Sequence, residues 1–323
     1  METMKWPKAS LIISNLNGKY MLRECLQSLF ELDYPDYEII VVDAGSTDGT
    51  PDMVSREFPQ VRLLKDGRIG IGEAINKGFA ASGGDIIAFD LNNDETFSRG
   101  WLKTLVNELC SSQEKKVVSG VRVYYGTDGI IQSAGARATA PELSLYGGVS
   151  IEDVPKKPFE VDHAWVCVFK RELLGLIGFC DEKFYIYFED SDFCERAKRA
   201  GYKIFVVPTA VSYHRGGATL KTFGARLFYH IRRGQVRFFI KHFGLKRMVF
   251  ALINWAFGTI LDILYCPLGR ARIESRRLSS KESCELCKVL LKCILWNLRN
   301  IGDHVKSRLI MRSIRPSTQY AHA

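Results

Sequence analysis

The sequence predicts an α/β fold with a largely parallel, Rossmann-like sheet and flanking helices, on three observations. Short apolar runs of strand length alternate with stretches whose apolar residues recur at helical spacing. The connections between them are short. Polar residues stand at the C-terminal ends of the strands, where open sheets of this kind bind ligands.

Ser10 to Ser14 reads as a buried strand, and Asn15 to Gly18 as the turn leaving it. Met21, Leu22, Cys25, Leu26, Leu29 and Phe30 make the apolar side of a helix, which Tyr34-Pro35-Asp36 breaks. A second strand, Glu38 to Val42, ends at Asp43. Thr50 can cap the next helix with Pro51 at its first position, and that helix is expected to reach about Phe58. Val61 to Leu64 is a third strand, Gly72 to Ala81 a third helix and Asp85 to Leu91 a fourth strand. Thr96 to Leu109 then predicts a helix with Trp101, Leu102, Leu105, Val106 and Leu109 inward. Residues 117–170 hold further strands and glycine-marked turns whose pairing the pattern does not assign. Phe184 to Phe188 has the composition of a strand, and Glu189 opens a helix to Ala200 that Gly201 closes. Lys203 to Val207 is another strand, and Val211 to Gly217 ends the body.

The fourth strand is the centre of this arrangement. Ile86-Ile87-Ala88-Phe89 is apolar, and Asp90 to Glu95 then delivers carboxylates and carboxamides at the strand's C-terminal end. Hard oxygen ligands there suit Mg²⁺ or Mn²⁺ beside a phosphate, although a plain polar turn would have a similar composition. Ser14, Asp43 and Asp94 fall at equivalent strand ends, and their convergence on one edge predicts a site. Asp43 suits a nucleoside base or ribose, or equally the stabilisation of its own turn. Ser46 to Thr50 lacks the lysine and spacing of a phosphate loop, and Gly70-Ile71-Gly72 is too short for a dinucleotide fingerprint. Glu189-Asp190-Ser191-Asp192 suits capping at a helix start, where a carboxylate stays ionised and can take a proton from a hydroxyl. His214 is by default a structural histidine, and Cys284, Cys287 and Cys293 fit an apolar helix face better than a zinc site.

The 323 residues, 46% hydrophobic and 25% charged, suffice for one large domain or two. The net charge of +9 is unevenly spread. Residues 1–219 carry 25 Lys and Arg against 31 Asp and Glu, a balance of −6, whereas residues 220–323 carry 20 against 5, or +15. An acidic body with a basic tail points the tail at a polyanion. Nine cysteines, an odd number without a repeating spacing, do not resemble a secreted disulfide framework. Met1 to Pro7 lacks the pattern of a signal peptide, so a cytoplasmic catalytic part is expected.

Several segments together resemble the family 2 glycosyltransferases, which have the GT-A fold. Val41-Val42-Asp43-Ala44-Gly45-Ser46-Thr47-Asp48-Gly49-Thr50 is similar to their nucleotide-binding segment, and Gly70 to Gly78 to the helix that follows. Leu91-Asn92-Asn93-Asp94 resembles their metal-binding Asp-x-Asp variant, and Asp181 to Arg196 the block carrying the catalytic base. Gly201-Tyr202-Lys203, Pro208 and His214 follow the rhamnosyltransferase-like branch. The resemblance covers roughly residues 8–243 and implies an inverting transfer from a nucleotide-sugar donor to a hydroxyl of a saccharide or polyprenyl-linked acceptor. It implies donor contacts from Ser14, Asn15, Asp43, Gly70, Asn92 and Asn93, with Asn92 at the first acidic place of the motif. Asp94 and His214 would be metal ligands, Asp190 the base and Glu189 its neighbour. Asp90 stands where an apolar residue is usual and is an alternative ligand, Leu16 replaces a usual aromatic, and Cys180 a usual phenylalanine. The expected organisation is a GT-A domain over 1–220, with a nucleotide-binding half at 1–95 and an acceptor half at 96–220, and a basic helical tail over 221–323.

In that tail Phe223 to Phe243 predicts a helix, and Met248 to Leu268 a second that is apolar except for Asn254, Thr259 and Asp262. Asn254, Gly258 and Asp262 form a polar stripe, and both flanks are basic, which favours an in-plane helix on an anionic membrane surface over a single span. The enzyme is accordingly expected on the inner face of the cell membrane. A nucleotidyltransferase that makes sugar nucleotides would show a basic glycine-rich signature near the N-terminus, which Ser14 to Gly18 does not supply. A non-catalytic nucleotide-sugar or nucleic-acid binding protein is the other alternative, but the tail has no recognisable nucleic-acid module.

Overall fold

The computed structural model describes residues 6–137, 143–216, 225–265, 272–273, 276–277 and 280–314. The chain forms two compact units: Met1–Glu182 with Glu189–Thr219 and Ile314–Ala323, and Lys183–Phe188 with Leu220–Ser313.

The first unit begins with strands β1 (Ala9–Asn15), β2 (Tyr37–Asp43), β3 (Arg62–Lys65) and β4 (Ile86–Asn92), interleaved with helices α1 (Lys19–Phe30), α2 (Thr50–Glu57) and α3 (Ile71–Ala81). β5 (Glu95–Phe97), α4 (Trp101–Cys110), β6 (Lys116–Tyr124) and β7 (Ile131–Ser133) follow. Then come the short strands β8 (Ala136–Arg137), β9 (Leu143–Ser144) and β10 (Phe159–Val161), and β11 (Cys167–Lys170) with α5 (Glu172–Ile177). α6 (Glu189–Arg199) and β12 (Lys203–His214) complete the unit. The main sheet has the order β10-β12-β6-β11-β4-β1-β2-β3, with β5 on β12 and β7 on β6. β4-β1-β2-β3 is parallel throughout, and β12 is parallel to β6. β11 is antiparallel to both of its neighbours and joins the two parallel blocks.

Alternation along β1 sorts the core. Leu11 and Ile13 pack with α1, α2 and α4, while Ile12 packs on the opposite face with Ile75 and Phe79 of α3. That face also holds the rings of Phe89, Phe169 and Phe193, with Phe89 and Phe193 centroids 4.6 Å apart. The contact pins the first turns of α6 to the middle of β4, at roughly 0.5–1.5 kcal/mol beyond area burial for such a pair.

Three expectations need correction. Thr96 and Phe97 are strand rather than helix, because β5 pairs with Tyr213 and Ser212 of β12, so the helix starts only at Trp101. Phe184 to Phe188 is no strand: Tyr187 and Phe188 take left-handed φ values of 66° and 73°, which interrupt an extended chain. β12 is also longer than expected, resuming after a register shift between Val206 and Val211 to reach His214. Gly217 lies outside the described residues.

The second unit contains α7 (Ala225–His242), α8 (Leu245–Tyr265), the two-residue strands β13 (Arg272–Ile273) and β14 (Arg276–Arg277), α9 (Ser280–Arg299) and α10 (Ile301–Ser313). α7 packs against the other three helices. Buried Arg237 of α7 is held by Asp303 at 2.7 Å and by His304 Nδ1 at 3.1 Å. Among the described residues no helix is long and apolar enough to cross a membrane. Phe223 and residues 266–268 of the expected tail helices lie outside the described residues, as does the side chain of Asp262.

Candidate active site

Residues from β1, β2 and β4 meet at the C-terminal edge of the parallel block. Asn15 donates to Asp43 Oδ2 at 3.0 Å and to Ser46 Oγ at 3.1 Å. Asp43 Oδ1 accepts from the amides of Gly45 at 3.2 Å and Ser46 at 2.8 Å, so both oxygens of this buried carboxylate brace the loop after β2. Asn93 donates to Asn15 Oδ1 at 2.6 Å, which ties the β4 end to the same network. Gly18 is needed beside it: a Cβ there would stand 2.1 Å from Asn93 Nδ2. Ser14 is half-buried and pairs in register with Val42 and Asn92, and Gly70 precedes the first turn of α3. The expected donor-side residues Ser14, Asn15, Asp43, Asn92 and Asn93 thus belong to neighbouring strand ends.

A second cluster joins β4 and β5 to β12. His214 Nε2 lies 3.1 Å from Asp94 Oδ1 and 3.4 Å from Asn92 Nδ2, and His214 Nδ1 lies 2.6 Å from Gln132 Oε1. The Arg215 amide donates to the Asp94 carbonyl at 3.0 Å, so the backbone fixes the approach of the two elements. Burial works to raise the Asp94 carboxyl, but the hydrogen bond and charge of His214, helped by Arg122, outweigh it and hold it below the usual range. Next to this pair Glu95, fully buried, takes a bidentate contact from Arg122 at 3.0 and 2.9 Å and a hydroxyl from Ser212 at 2.5 Å.

The third cluster is at the start of α6. Asp190 Oδ1 accepts from the Ser191 amide at 2.6 Å. Glu189 is 5% exposed and its Oε2 has no hydrogen-bond partner among the described residues. Burial, then the charges of Asp190 and Asp90, push its carboxyl well above the usual range. Asp192 plays a different part, since Arg196 binds it at 2.8 Å and in turn donates to the Ile177 carbonyl at 2.8 Å. Glu189 and Asp190 are the other two carboxyl groups of this helix start. Asp90 belongs with them: burial and then Asp190 raise its carboxyl to about 8, against the lowering by Arg122.

Arg122 and Gln132 have no place in the sequence reading, and Glu95 enters it only as the end of the acidic stretch after the fourth strand. The one local signal for Arg122 is a cation between Val121 and Val123 in an apolar alternating strand, a position that requires a buried partner. Gln132 has no such signal, because its partner His214 is 82 residues away.

A family model described as Glycosyl transferase family 2 matches residues 10–175, more than half of the chain, and the chain belongs to that family. An uncharacterised glycosyltransferase of Nostoc sp. is 29% identical over 177 residues, which are 52% of this chain and 52% of that protein. The chain thus spans about half the length of that relative. The N-acetylglucosaminyl-diphospho-decaprenol L-rhamnosyltransferase of Mycobacterium tuberculosis is 25% identical over 254 residues, covering 67% of this chain and 78% of the relative. The structure of mannosyltransferase PcManGT from Pyrobaculum calidifontis, in complex with GDP-Man and Mn²⁺, superposes with a TM-score of 0.54 at 18% identity. It covers 96% of this chain and 87% of its own and supports the GT-A fold.

Proposed function

We propose that the chain transfers a sugar from a nucleotide-sugar donor to a hydroxyl of a saccharide, inverting the anomeric centre. In this reading Asp94 and His214 hold a divalent ion, Mg²⁺ or Mn²⁺, on the donor diphosphate, and Asp190 is the general base.

The observation that carries the reading is the disposition of His214. Gln132 Oε1 occupies its Nδ1 side, which leaves Nε2 facing the ionised Asp94 at 3.1 Å. Ligand atoms about 2.1 Å from a divalent ion and at right angles to each other are about 3 Å apart, so the pair fits neighbouring coordination positions. Among the described residues no three His, Cys, Asp or Glu side chains converge for a metal. Two protein ligands suffice where diphosphate oxygens and water complete the shell. Such an ion, when bound, would neutralise charge on the departing nucleoside diphosphate.

The chain's own residues do the rest. The Asn15–Asp43–Ser46 network presents the loop at the nucleoside end, and Asn92 and Asn93 offer carboxamides beside it. Asp190, fixed by the Ser191 amide, takes the proton of the attacking hydroxyl, a contribution of about 10²–10⁴-fold. The Mycobacterium relative acts by name on a saccharide carried by decaprenyl diphosphate. That supports a polyprenyl-linked acceptor and the rhamnosyltransferase-like branch.

A lipid-linked acceptor requires access to a membrane surface, and α8 supports it. Leu245, Val249, Phe250, Ile253, Phe257 and Ile260 are all exposed and lie on one side of the helix, with exposed Lys246 and Arg247 at its start. An apolar face in a segment carrying +15 suits the anionic inner leaflet. Flotation should require anionic lipid and be lost on Phe250→Glu/Phe257→Glu; equal flotation with zwitterionic vesicles would defeat this part.

The transfer reading is tested by screening nucleotide sugars for thermal stabilisation with and without Mn²⁺. At least one donor should stabilise the chain only when Mn²⁺ is present. Uniform silence across uridine, guanosine and deoxythymidine diphosphate sugars would defeat it.

A further inference from the structure

Residues Lys183–Phe188 belong to the second unit, although in the chain they stand between α5 and α6 of the first. One side of α7 holds them. His230, Arg233, Gly234, Arg237, Phe238 and Lys241 recur every three or four residues and so share a face of that helix. Arg233 Nη2 donates to the Lys183 carbonyl at 3.0 Å. Phe184, 1% exposed, has the Arg237 guanidinium 5.9 Å and the Lys241 ammonium 5.6 Å from its ring centroid. Tyr185 stacks on His230 with ring centroids 4.1 Å apart and planes 19° apart. The Phe188 ring lies 5.5 Å from that of Phe238. Four of the six residues are therefore gripped by successive turns of a single helix.

At Phe188 the fit is close. A Cβ on Gly234 would stand 3.0 Å from Phe188 Cδ2 and 3.6 Å from Cε2, so the ring occupies the space of the missing side chain. Glycine weakens the interior of a helix, and alanine would strengthen α7 at this buried position if the ring were elsewhere. The same ring belongs to a strained backbone. Tyr187 and Phe188 take left-handed φ values of 66° and 73° in succession, a conformation that bulky residues rarely adopt even singly. Strain of that kind persists only where the surroundings fix it, and it concentrates at functional sites. Glu189, the next residue, is the first of α6, and Asp190 follows it. Burying Phe184 and Phe188 against α7 does not by itself require a left-handed pair. The direction in which the chain enters α6 does.

We propose that this face of α7 positions the base: by fixing Phe188, Gly234 and Phe238 hold the left-handed turn from which Asp190 is aimed at the acceptor hydroxyl. This rests on the reading of Asp190 as the base. Neither Gly234 nor Phe238 needs to touch a substrate, so both are positioning residues. Their effect reaches the site along the chain, from Phe188 through Glu189 to Asp190. Disturbing them should therefore lower kcat and spare the binding of the donor, whose proposed contacts lie elsewhere in the sequence.

Gly234→Ala is the direct probe, because it sets one methyl group against the Phe188 ring. Hydrogen exchange on the full-length protein needs no substrate. The amides of residues 187–191 should exchange about tenfold faster or more, while those of β1 to β4 stay as in the wild type. With a nucleotide sugar that stabilises the chain in the presence of Mn²⁺, kcat should fall about 10–100-fold, the effect of a slightly misplaced group. Calorimetry with Mn²⁺ and the nucleoside diphosphate should show unchanged affinity. Residues that act as one unit are not additive, so Gly234→Ala should lower kcat no further in the Asp190→Asn background. Phe238→Leu keeps apolar volume but removes the ring, and it repeats each comparison if the alanine variant does not fold. Unmoved exchange, unmoved kcat, a parallel loss of diphosphate affinity, or a full further loss in the Asp190→Asn background each overturns the role of α7. Normal turnover by Asp190→Asn would remove the base itself, whereas an inactive Asp190→Asn beside α7 variants of wild-type kcat would remove only the positioning.

Discussion

His214 Nε2 stands 3.1 Å from Asp94 Oδ1, and its other ring nitrogen is held 2.6 Å from Gln132 Oε1. The three residues come from β12, the β4–β5 turn and β7. Such a second contact on a histidine selects the tautomer and fixes the plane of the ring. Gln132→Leu should weaken Mn²⁺ binding in the presence of nucleoside diphosphate by about 10–100-fold and leave the fold intact. Calorimetry with Mn²⁺ and the diphosphate measures it, and an unchanged affinity would show that Gln132 does not organise the ligand.

For Asp190→Asn the expected outcome is a drop in kcat of about 10²–10⁴-fold with donor affinity retained. The isosteric amide keeps an oxygen for the Ser191 amide now 2.6 Å from Oδ1, so the α6 start keeps its geometry. Single-turnover transfer together with donor titration separates the two effects. A parallel loss of donor binding would argue for a structural role.

The parallel block β4-β1-β2-β3 was legible because its signals are local. β1 to β4 and α1 to α3 each announce themselves by period and by short polar connections, and β1, β2 and β3 are parallel neighbours in sequence order while β4 crosses back to pair with β1. Legibility ends where pairing becomes distant. Glu95 to Phe97 has too few residues to show a period, and it is a strand only because β12, more than a hundred residues later, pairs with it. The aromatic run 184–188 has strand composition, but two left-handed residues turn the chain before α6. Composition at Asp94, Glu189 and Asp190 pointed to chemistry, yet which carboxylate meets which cation depends on the bulge in β4, which has no local signature, and on Arg122, whose setting between two valines shows that it needs a partner but not which one.

Gly18→Ala probes the close approach at the donor edge. The added methyl would meet Asn93 Nδ2 at 2.1 Å and Asn15 Oδ1 at 3.0 Å, so the Asn93–Asn15 hydrogen bond must open or α1 must shift. Overpacking of this kind costs about 1–3 kcal/mol. Thermal unfolding should show a lowered Tm, with donor affinity reduced as well.

Acid stability should depend on Glu195. His163 Nε2 lies 2.9 Å and Lys198 Nζ 2.7 Å from its Oε1. Burial pushes this carboxyl up, but the His163 hydrogen bond and then the Lys198 charge prevail and take it from 4.5 to about 2. A depressed folded pKa contributes stability that is complete above the unfolded value and is lost as pH falls through the folded one. Glu195→Gln should thus flatten the fall of Tm between about pH 4.5 and about pH 2 while lowering Tm at neutral pH. A parallel curve at all pH values would rule the residue out as an acid sensor.

Beneath the site, Arg122 and Glu95 form a bidentate ion pair in which the Glu95 side chain has no exposure at all. Removing one member leaves the other charged and buried, which costs about 3–5 kcal/mol, while replacing both with apolar residues of similar volume can be nearly neutral. Arg122→Met should therefore destabilise the chain far more than the double replacement Arg122→Met/Glu95→Leu, although Ser212 then loses the acceptor now 2.5 Å away. Activity separates the variants differently. Arg122 also acts as a cation on Asp90 and, beside His214, on Asp94, so the double variant should recover stability without recovering transfer. Denaturant unfolding and steady-state transfer on the same preparations test both halves. Recovery of activity together with stability would reduce Arg122 to a packing residue.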